Sequence, residues 1–409
     1  MRIEALKSER GGTRCRVAAT VVWEDCDRPS REIYFETDQA FGGDLACNPN
    51  AFLLGSYQPA MRHGERRIRV EGEICPELHE GLRTAMAWNR LWHYRADTPL
   101  PVIEAKMAGR GPEGPRRTGA FLSGGIDSLS MLRRNQLRCP AEHPARIRDC
   151  LLIYGTDIGG VLAAGDERRT YELLVAALQN VARDAGVTLI PVATNVRYLD
   201  DNLHFWVQEY YGAVLMAVAH AFAPRLASIT MASDKDLATL DQFGSHPLVT
   251  MNYGGWDLKF FYDGLRLPRQ ERVQLVADWD AGLNNLRVCT RNVTDRLNCG
   301  HCEKCLRTML GLLALGALGR CRAFAADDLT PAMLRELDLS NMDQITYYQD
   351  LMGPLRAIGR EDLVRILAHK IAKLEHGPTL LDRLKEDIYP LDQKYLFGML
   401  TRLNRRLRD

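Results

Sequence analysis

Six residues, Ser123-Gly124-Gly125-Ile126-Asp127-Ser128, follow a short apolar run at 118–122 and precede a helical pattern through Leu129 and Leu132. Adjacent glycines let a backbone fold back tightly and turn several N–H groups into one concavity. The helix that follows adds the positive end of its dipole. Ser123 and Ser128 add hydroxyl donors, and Asp127 is placed to orient the loop or to hold a magnesium ion. Together these features make a cradle for a phosphate. The loop lacks the lysine of a Walker-type loop and is not the spaced Gly-x-Gly-x-x-Gly dinucleotide fingerprint. An ordinary strand-to-helix turn also favours Gly, Asp and Ser. Six such positions directly after an apolar strand set this one apart.

The surrounding pattern alternates strands with helices. Strands are expected at 118–122, 150–154, 187–193 and 228–232, and helices at 166–186 and 203–222. Short strands separated by helices imply an α/β fold: a parallel sheet with helices on both faces. Ligands of such sheets sit beyond the carboxyl ends of the strands. Tyr154 and Gly155, and Thr194 with Asn195, stand at those ends and are positioned to meet a nucleotide.

Outside that core, residues 1–95 read as a small β-rich N-terminal domain. Strand candidates lie at 15–23, 32–36 and 67–70, and a helix starts at Pro76. Residues 96–117 carry Pro99, Pro101, Pro112 and Pro115 and read as a linker. The nucleotide-binding domain then spans 118–320. Residues 321–409 read as a helical C-terminal domain that ends in a basic tip of Arg402, Arg405, Arg406 and Arg408.

The chain has 11 cysteines. Seven are scattered and suit small buried hydrophobes. Cys289, Cys299, Cys302 and Cys305 form C-x9-C-x2-C-x2-C. Two-residue spacers let neighbouring thiolates share one ion, and four thiolates close a tetrahedral zinc site with no open position, as in structural zinc centres. An iron–sulfur cluster also uses four cysteines and is the competing assignment.

The loop resembles the signature of the PP-loop ATP pyrophosphatases, a superfamily that includes GMP synthetase, asparagine synthetase and tRNA thiolases. The run Cys299-Gly300-His301-Cys302-Glu303-Lys304-Cys305-Leu306-Arg307, with Cys289 upstream, is similar to the zinc segment of the 7-cyano-7-deazaguanine synthase (QueC) family. The resemblance covers roughly residues 118–320. It implies ATP, Mg2+ and Zn2+ as cofactors and a reaction that releases AMP and pyrophosphate. The carboxylate of 7-carboxy-7-deazaguanine is adenylated and then joined to nitrogen. Ser123, Gly124, Gly125, Asp127 and Ser128 would then bind ATP, with Asp127 and Ser128 at the reacting phosphate. Tyr154, Gly155 and Thr194 would approach the adenosine. Asp234 and His246 would contact the deazapurine, and Lys304 and Arg307 the pyrophosphate. The free-standing synthase is essentially the α/β core, so residues 1–95 and 321–409 are additions. Longer relatives of this shape occur in bacterial antiphage operons, where the resemblance implies attachment of the deazaguanine to an amine of a partner protein rather than formation of preQ0 from ammonia.

Charge narrows the field. Lys+Arg (53) and Asp+Glu (52) nearly cancel, whereas phosphate contacts usually demand a basic excess. Nucleic acid is therefore not expected as the main substrate. The first residues lack the apolar stretch of a signal peptide, and no run approaches the ~20 apolar residues of a membrane span. A cytoplasmic location without membrane association is expected. A tRNA thiolase and a non-catalytic nucleotide-binding subunit are the alternatives. A thiolase needs a sulfur-carrying cysteine near the loop and a basic RNA surface.

Overall fold

A computed structural model describes residues 1–109, 111, 114–159, 167–293, 295–337, 339 and 345–375. The chain starts with the meander β1 (Arg2–Gly11), β2 (Arg14–Val22) and β3 (Arg31–Asp38), then α1 (Pro49–Arg62), β4 (Arg67–Ile74), α2 (Pro76–His93) and β5 (Val102–Met107). Next come β6 (Arg117–Phe121), α3 (Ile126–Arg138), β7 (Ile147–Tyr154), α4 (Glu167–Ala185) and β8 (Thr188–Thr194). The short α5 (Leu203–Phe205) passes through a π-helical turn at Trp206–Tyr210 into α6 (Tyr211–Ala221), followed by β9 (Leu226–Ala232), α7 (Pro247–Thr250) and β10 (Lys259–Asp263). Among the described residues the elements that follow are helices: α8 (Arg269–Ala277), α9 (Asp280–Asn284), α10 (Glu303–Ala314), α11 (Pro331–Arg335), α12 (Ile345–Ala357) and α13 (Glu361–Glu375).

All ten strands form one sheet in the order β10-β9-β6-β7-β8-β3-β2-β1-β4-β5. It is mostly parallel. The three antiparallel pairs are β3–β8, β2–β3 and β1–β2. Successive side chains of a strand point to opposite faces, and the apolar residues sort accordingly. Leu151, Ile153, Ile190, Val192, Ile229 and Met231 face one core, which α1, α2 and α6 cover. Ala120, Leu122, Cys150, Leu152 and Leu189 face the other, covered by α3, α4, α10, α12 and α13. The central strands are apolar on both faces, as a covered parallel sheet requires. The expectation of helices on both faces therefore holds.

The structure joins all three regions outside 118–320 to the central fold. Residues 1–95 do not form a sheet of their own, because β3 pairs with β8 through Phe35–Thr194, Glu36–Ala193 and Thr37–Val192. Nor is 96–117 without structure, since β5 pairs with β4 at the sheet edge. Likewise α12 and α13 share one core with α3 and α4 through Leu351, Leu355, Leu363 and Leu367. Gly186, with φ of +64, ends α4 as its sequence suggested. The expected first residue of that helix, Asp166, and the basic tip lie outside the described residues.

Candidate functional site

The loop at 123–128 joins β6 to α3. Gly124 has φ of +79, and a Cβ there would meet Leu174 at 3.2 Å and Leu178 at 3.3 Å, so the position is restricted to glycine. Its carbonyl accepts the Arg287 backbone N–H at 2.8 Å. Ser123 Oγ lies 3.2 Å from Ser128 Oγ and accepts the Gly125 N–H at 3.4 Å, while Ser128 Oγ donates to the Gly125 carbonyl at 3.2 Å. The two hydroxyls thus sit side by side at the N-terminus of α3.

Asp127 is anchored from outside the loop. Arg272 donates to its Oδ1 at 2.8 Å, and Arg269 reaches both oxygens at 3.3 and 3.4 Å. Arg272 is only 2% exposed and also donates to the carbonyls of Leu267, Ser233, Lys235 and Gly264. One buried guanidinium therefore ties α3 to the loops after β9 and β10. Arg134 of α3 pairs with Asp263 at the end of β10 and reinforces the same junction.

The loop opens into a cavity of about 550 Å³ at the carboxyl ends of β6, β7 and β9. Its phosphate-loop end is lined by Ser123, Gly125, Asp127, Ser128, Arg269, Lys304, Arg307 and Tyr347. Its other end is aromatic, with Trp206, Tyr211 and Phe243. The π-helical turn shapes that end. A π turn misaligns the ordinary helical hydrogen bonds, and the carbonyls it frees find partners elsewhere: Gly244 N–H donates to Val207 O at 3.0 Å and Gln58 Nε2 to Glu209 O at 2.6 Å. Tyr211 Oη also bonds Ser245 Oγ. Asp234 opens to the cavity yet is crowded by protein. Burial raises its carboxyl above the ordinary range, and the charge of Asp127 raises it further.

The cysteine cluster borders this cavity through Cys289. All four cysteines are buried and their sulfurs lie within 4.8 Å of one another, with Cys289–Cys302 and Cys299–Cys305 each at 3.9 Å. A zinc–sulfur distance of about 2.3 Å sets tetrahedral sulfurs about 3.8 Å apart, so the four thiols fit such an ion. Backbone N–H groups of Arg291 and Cys302 donate to the sulfurs of Cys289 and Cys299. Hydrogen bonds from the Cys302 and Cys305 thiols hold Cys289 well below the ordinary thiol range. Asn298 braces the segment by accepting from Val288 and Cys289 and donating to Leu286 and Ala323. Cys302 caps α10, whose first turns carry Lys304 and Arg307 into the cavity. The four-cysteine segment therefore leads into a helix that brings two cationic side chains to the cavity lined by the 123–128 loop.

The remaining expected residues take other places. Gly155 has φ of +103 and a Cβ would fall 1.8 Å from Thr194 O, so its role is to let β7 end against β8. Thr194 is buried and its hydroxyl donates to Tyr34 O at 2.7 Å, across the seam with β3. The Tyr154 ring packs on Tyr171. His246 caps α7 and stands edge-on to Trp92 at 4.8 Å. None of these four lines the cavity, whereas Asp234, Lys304 and Arg307 do. Sequence reading missed Arg269, Arg272, Tyr347 and the aromatic end. The available signal was Pro268 opening a helix with arginines at its first and fourth positions.

Comparison with known proteins gives no support from kinship: no family model, no curated protein and no solved structure matches this chain. Among the described residues no helix is long and apolar enough to cross a membrane.

Proposed function

We propose that the protein activates the carboxylate of a flat heterocycle, 7-carboxy-7-deazaguanine by the motif resemblance, and joins it to nitrogen. A carboxylate oxygen attacks the α-phosphorus of ATP. The bond from that phosphorus to the bridging oxygen breaks, and pyrophosphate leaves with the electron pair. An amine then attacks the acyl carbon, AMP departs and the amine loses a proton. The amide is the product, and a partner protein's amine or ammonia is the acceptor.

The observation that carries this reading is that Ser123, Ser128, the arginine-anchored Asp127, Lys304 and Arg307 all line one cavity. Fixed donors aimed at phosphate oxygens are the main protein contribution to such displacements. The aromatic end suits a planar ring. ATP brings Mg2+ to such sites, and Asp127 and Asp234 offer the hard oxygens it prefers. Zinc at the four cysteines would hold α10 in place and take no part in the chemistry.

The test is incubation with ATP, Mg2+ and 7-carboxy-7-deazaguanine, with ammonia or a candidate partner protein, and measurement of AMP and pyrophosphate. Both should accumulate together with an amide product. One ATP per product marks the amide, while two mark onward conversion to the nitrile preQ0. ADP in place of AMP would overturn the reading. AMP formed only with tRNA and a sulfur donor would give the site to a thiolase.

A further inference from the structure

Arg269 and Arg307 come from α8 and α10 and meet on one ring. The Arg269 guanidinium lies 6.0 Å and the Arg307 guanidinium 5.0 Å from the centroid of Tyr347. Tyr347 belongs to α12, so the C-terminal helices supply part of the cavity wall. Both arginine side chains are withdrawn from water, at 14% and 13% exposure. Neither is well supplied with acceptors. Among the described residues Arg269 hydrogen-bonds to Asp127 alone, at 3.3 and 3.4 Å, and Asp127 is already bound more closely by Arg272. Arg307 pairs with Glu303 through its buried Nε, 3.3 Å from the carboxylate, in a geometry that makes no hydrogen bond. Glu303 is itself shared with the Tyr348 hydroxyl.

A guanidinium has five N–H donors in a planar fork. Leaving them desolvated and unfilled is costly, and bringing two like charges to one ring adds to the cost. A ligand with several anionic oxygens removes both penalties, because phosphate oxygens match the fork two at a time.

We propose that Arg269 and Arg307 form a clamp for a diphosphate group, and that Tyr347 is the positioning residue that keeps their two planes in register. Resting on the adenylation reading, the group is the β,γ-diphosphate of ATP and then the leaving pyrophosphate. This gives the C-terminal helices a direct part in nucleotide binding.

The test is calorimetric titration of the whole protein with inorganic pyrophosphate and, separately, with AMP. Arg269→Gln and Arg307→Gln should each weaken pyrophosphate binding about 10- to 100-fold and leave AMP binding unchanged. Tyr347→Ala should weaken pyrophosphate about 10-fold, and Tyr347→Phe should restore it, because the ring and not the hydroxyl does the positioning. In turnover assays the arginine and alanine variants should raise the KM for ATP more than they lower kcat. Wild-type affinity for pyrophosphate in Arg269→Gln, or no pyrophosphate binding by the wild type, overturns the clamp. An equal loss of AMP binding would also overturn it, by marking general distortion. If the wild type binds pyrophosphate and the variants lose it, yet no acid yields AMP, the clamp stands and the adenylation reading falls.

Discussion

β6, β7 and β9 end at the cavity, whereas β3, β2, β1, β4 and β5 supply half of the strands and none of its lining. Both groups belong to one sheet and both are well buried, so neither burial nor sheet membership separates them. Direction does. Parallel strands joined by helices deliver all their carboxyl ends, and the helix N-termini that follow, to one edge. An antiparallel meander alternates its ends and gathers nothing. The N-terminal half acts as a scaffold: α1 and α2, together with α6, cover one face of the sheet.

The sharpest way to test that division is the cysteine cluster. Cys302→Ser should lose the metal and unfold the segment around α10. Structural zinc carries about 10–16 kcal/mol of apparent binding free energy in small peptides. Cys26→Ser, in the scaffold half and only half-buried, should leave metal content and melting temperature nearly unchanged. Elemental analysis with thermal melts reads both. Iron with a visible absorbance band would replace zinc by a cluster.

Phe52→Ala tests the scaffold from within. Phe52 is fully buried in α1 and packs on Phe35, with ring centroids 5.3 Å apart. Truncation should cost about 3–5 kcal/mol while the KM for ATP stays at its wild-type value. A large shift in KM in a still-folded variant would break the division.

Asp127 tests the half that lines the cavity. Asp127→Ala leaves Arg272 buried with only carbonyl partners, so denaturant titration should show a loss on the order of 3 kcal/mol. Asp127→Asn keeps an acceptor for Arg272. It should retain the fold and lose pyrophosphate release by about 100-fold. Near-normal turnover in Asp127→Asn would remove the carboxylate from the mechanism.

A pH-dependent effect lies at the seam between the halves. Glu209, in the π turn, accepts the Tyr94 hydroxyl at 2.7 Å, and burial lifts its carboxyl to about 7 despite that bond. Its ordinary value is 4.5. Between those two values the folded protein holds a proton that the unfolded chain releases. Stability should therefore fall as pH rises through that window, by up to about 1.4 kcal/mol per pH unit. Glu209→Gln keeps the acceptor and should flatten the slope. Denaturant titrations across the window decide it, and an unchanged slope would place the titration elsewhere.

Legibility in the sequence followed the same physics. The α/β core read correctly because each central strand is an apolar run punctuated by turn residues, and because α4 shows a clean stripe through Leu174, Leu178 and Val181. α1 stayed invisible. Its residues from Asn50 to Met61 are all buried, so it has no polar face, and amphipathic periodicity is what marks a helix. β5 was masked by Pro99 and Pro101 before it. The strand-loop-helix at 123–128 and the grouping of the four cysteines were legible because their signals are local. Arg269, Arg272 and Tyr347 were not, because charged or aromatic residues on a helix declare a partner only when another element arrives.

The pairing of β3 with β8 has a consequence for anyone who would dissect the chain. A cut between β5 and β6 looks like a natural place to isolate the phosphate-loop half. It would strip β8 of its neighbour and uncover the apolar face bearing Ile153, Ile190 and Val192. A bare strand edge above an oily surface recruits other chains. Each fragment made alone should aggregate, while the two produced together should find each other and rebuild the sheet. The connection between β5 and β6 is thus a site for split-protein complementation, where recovered activity would report the meeting of two fused partners.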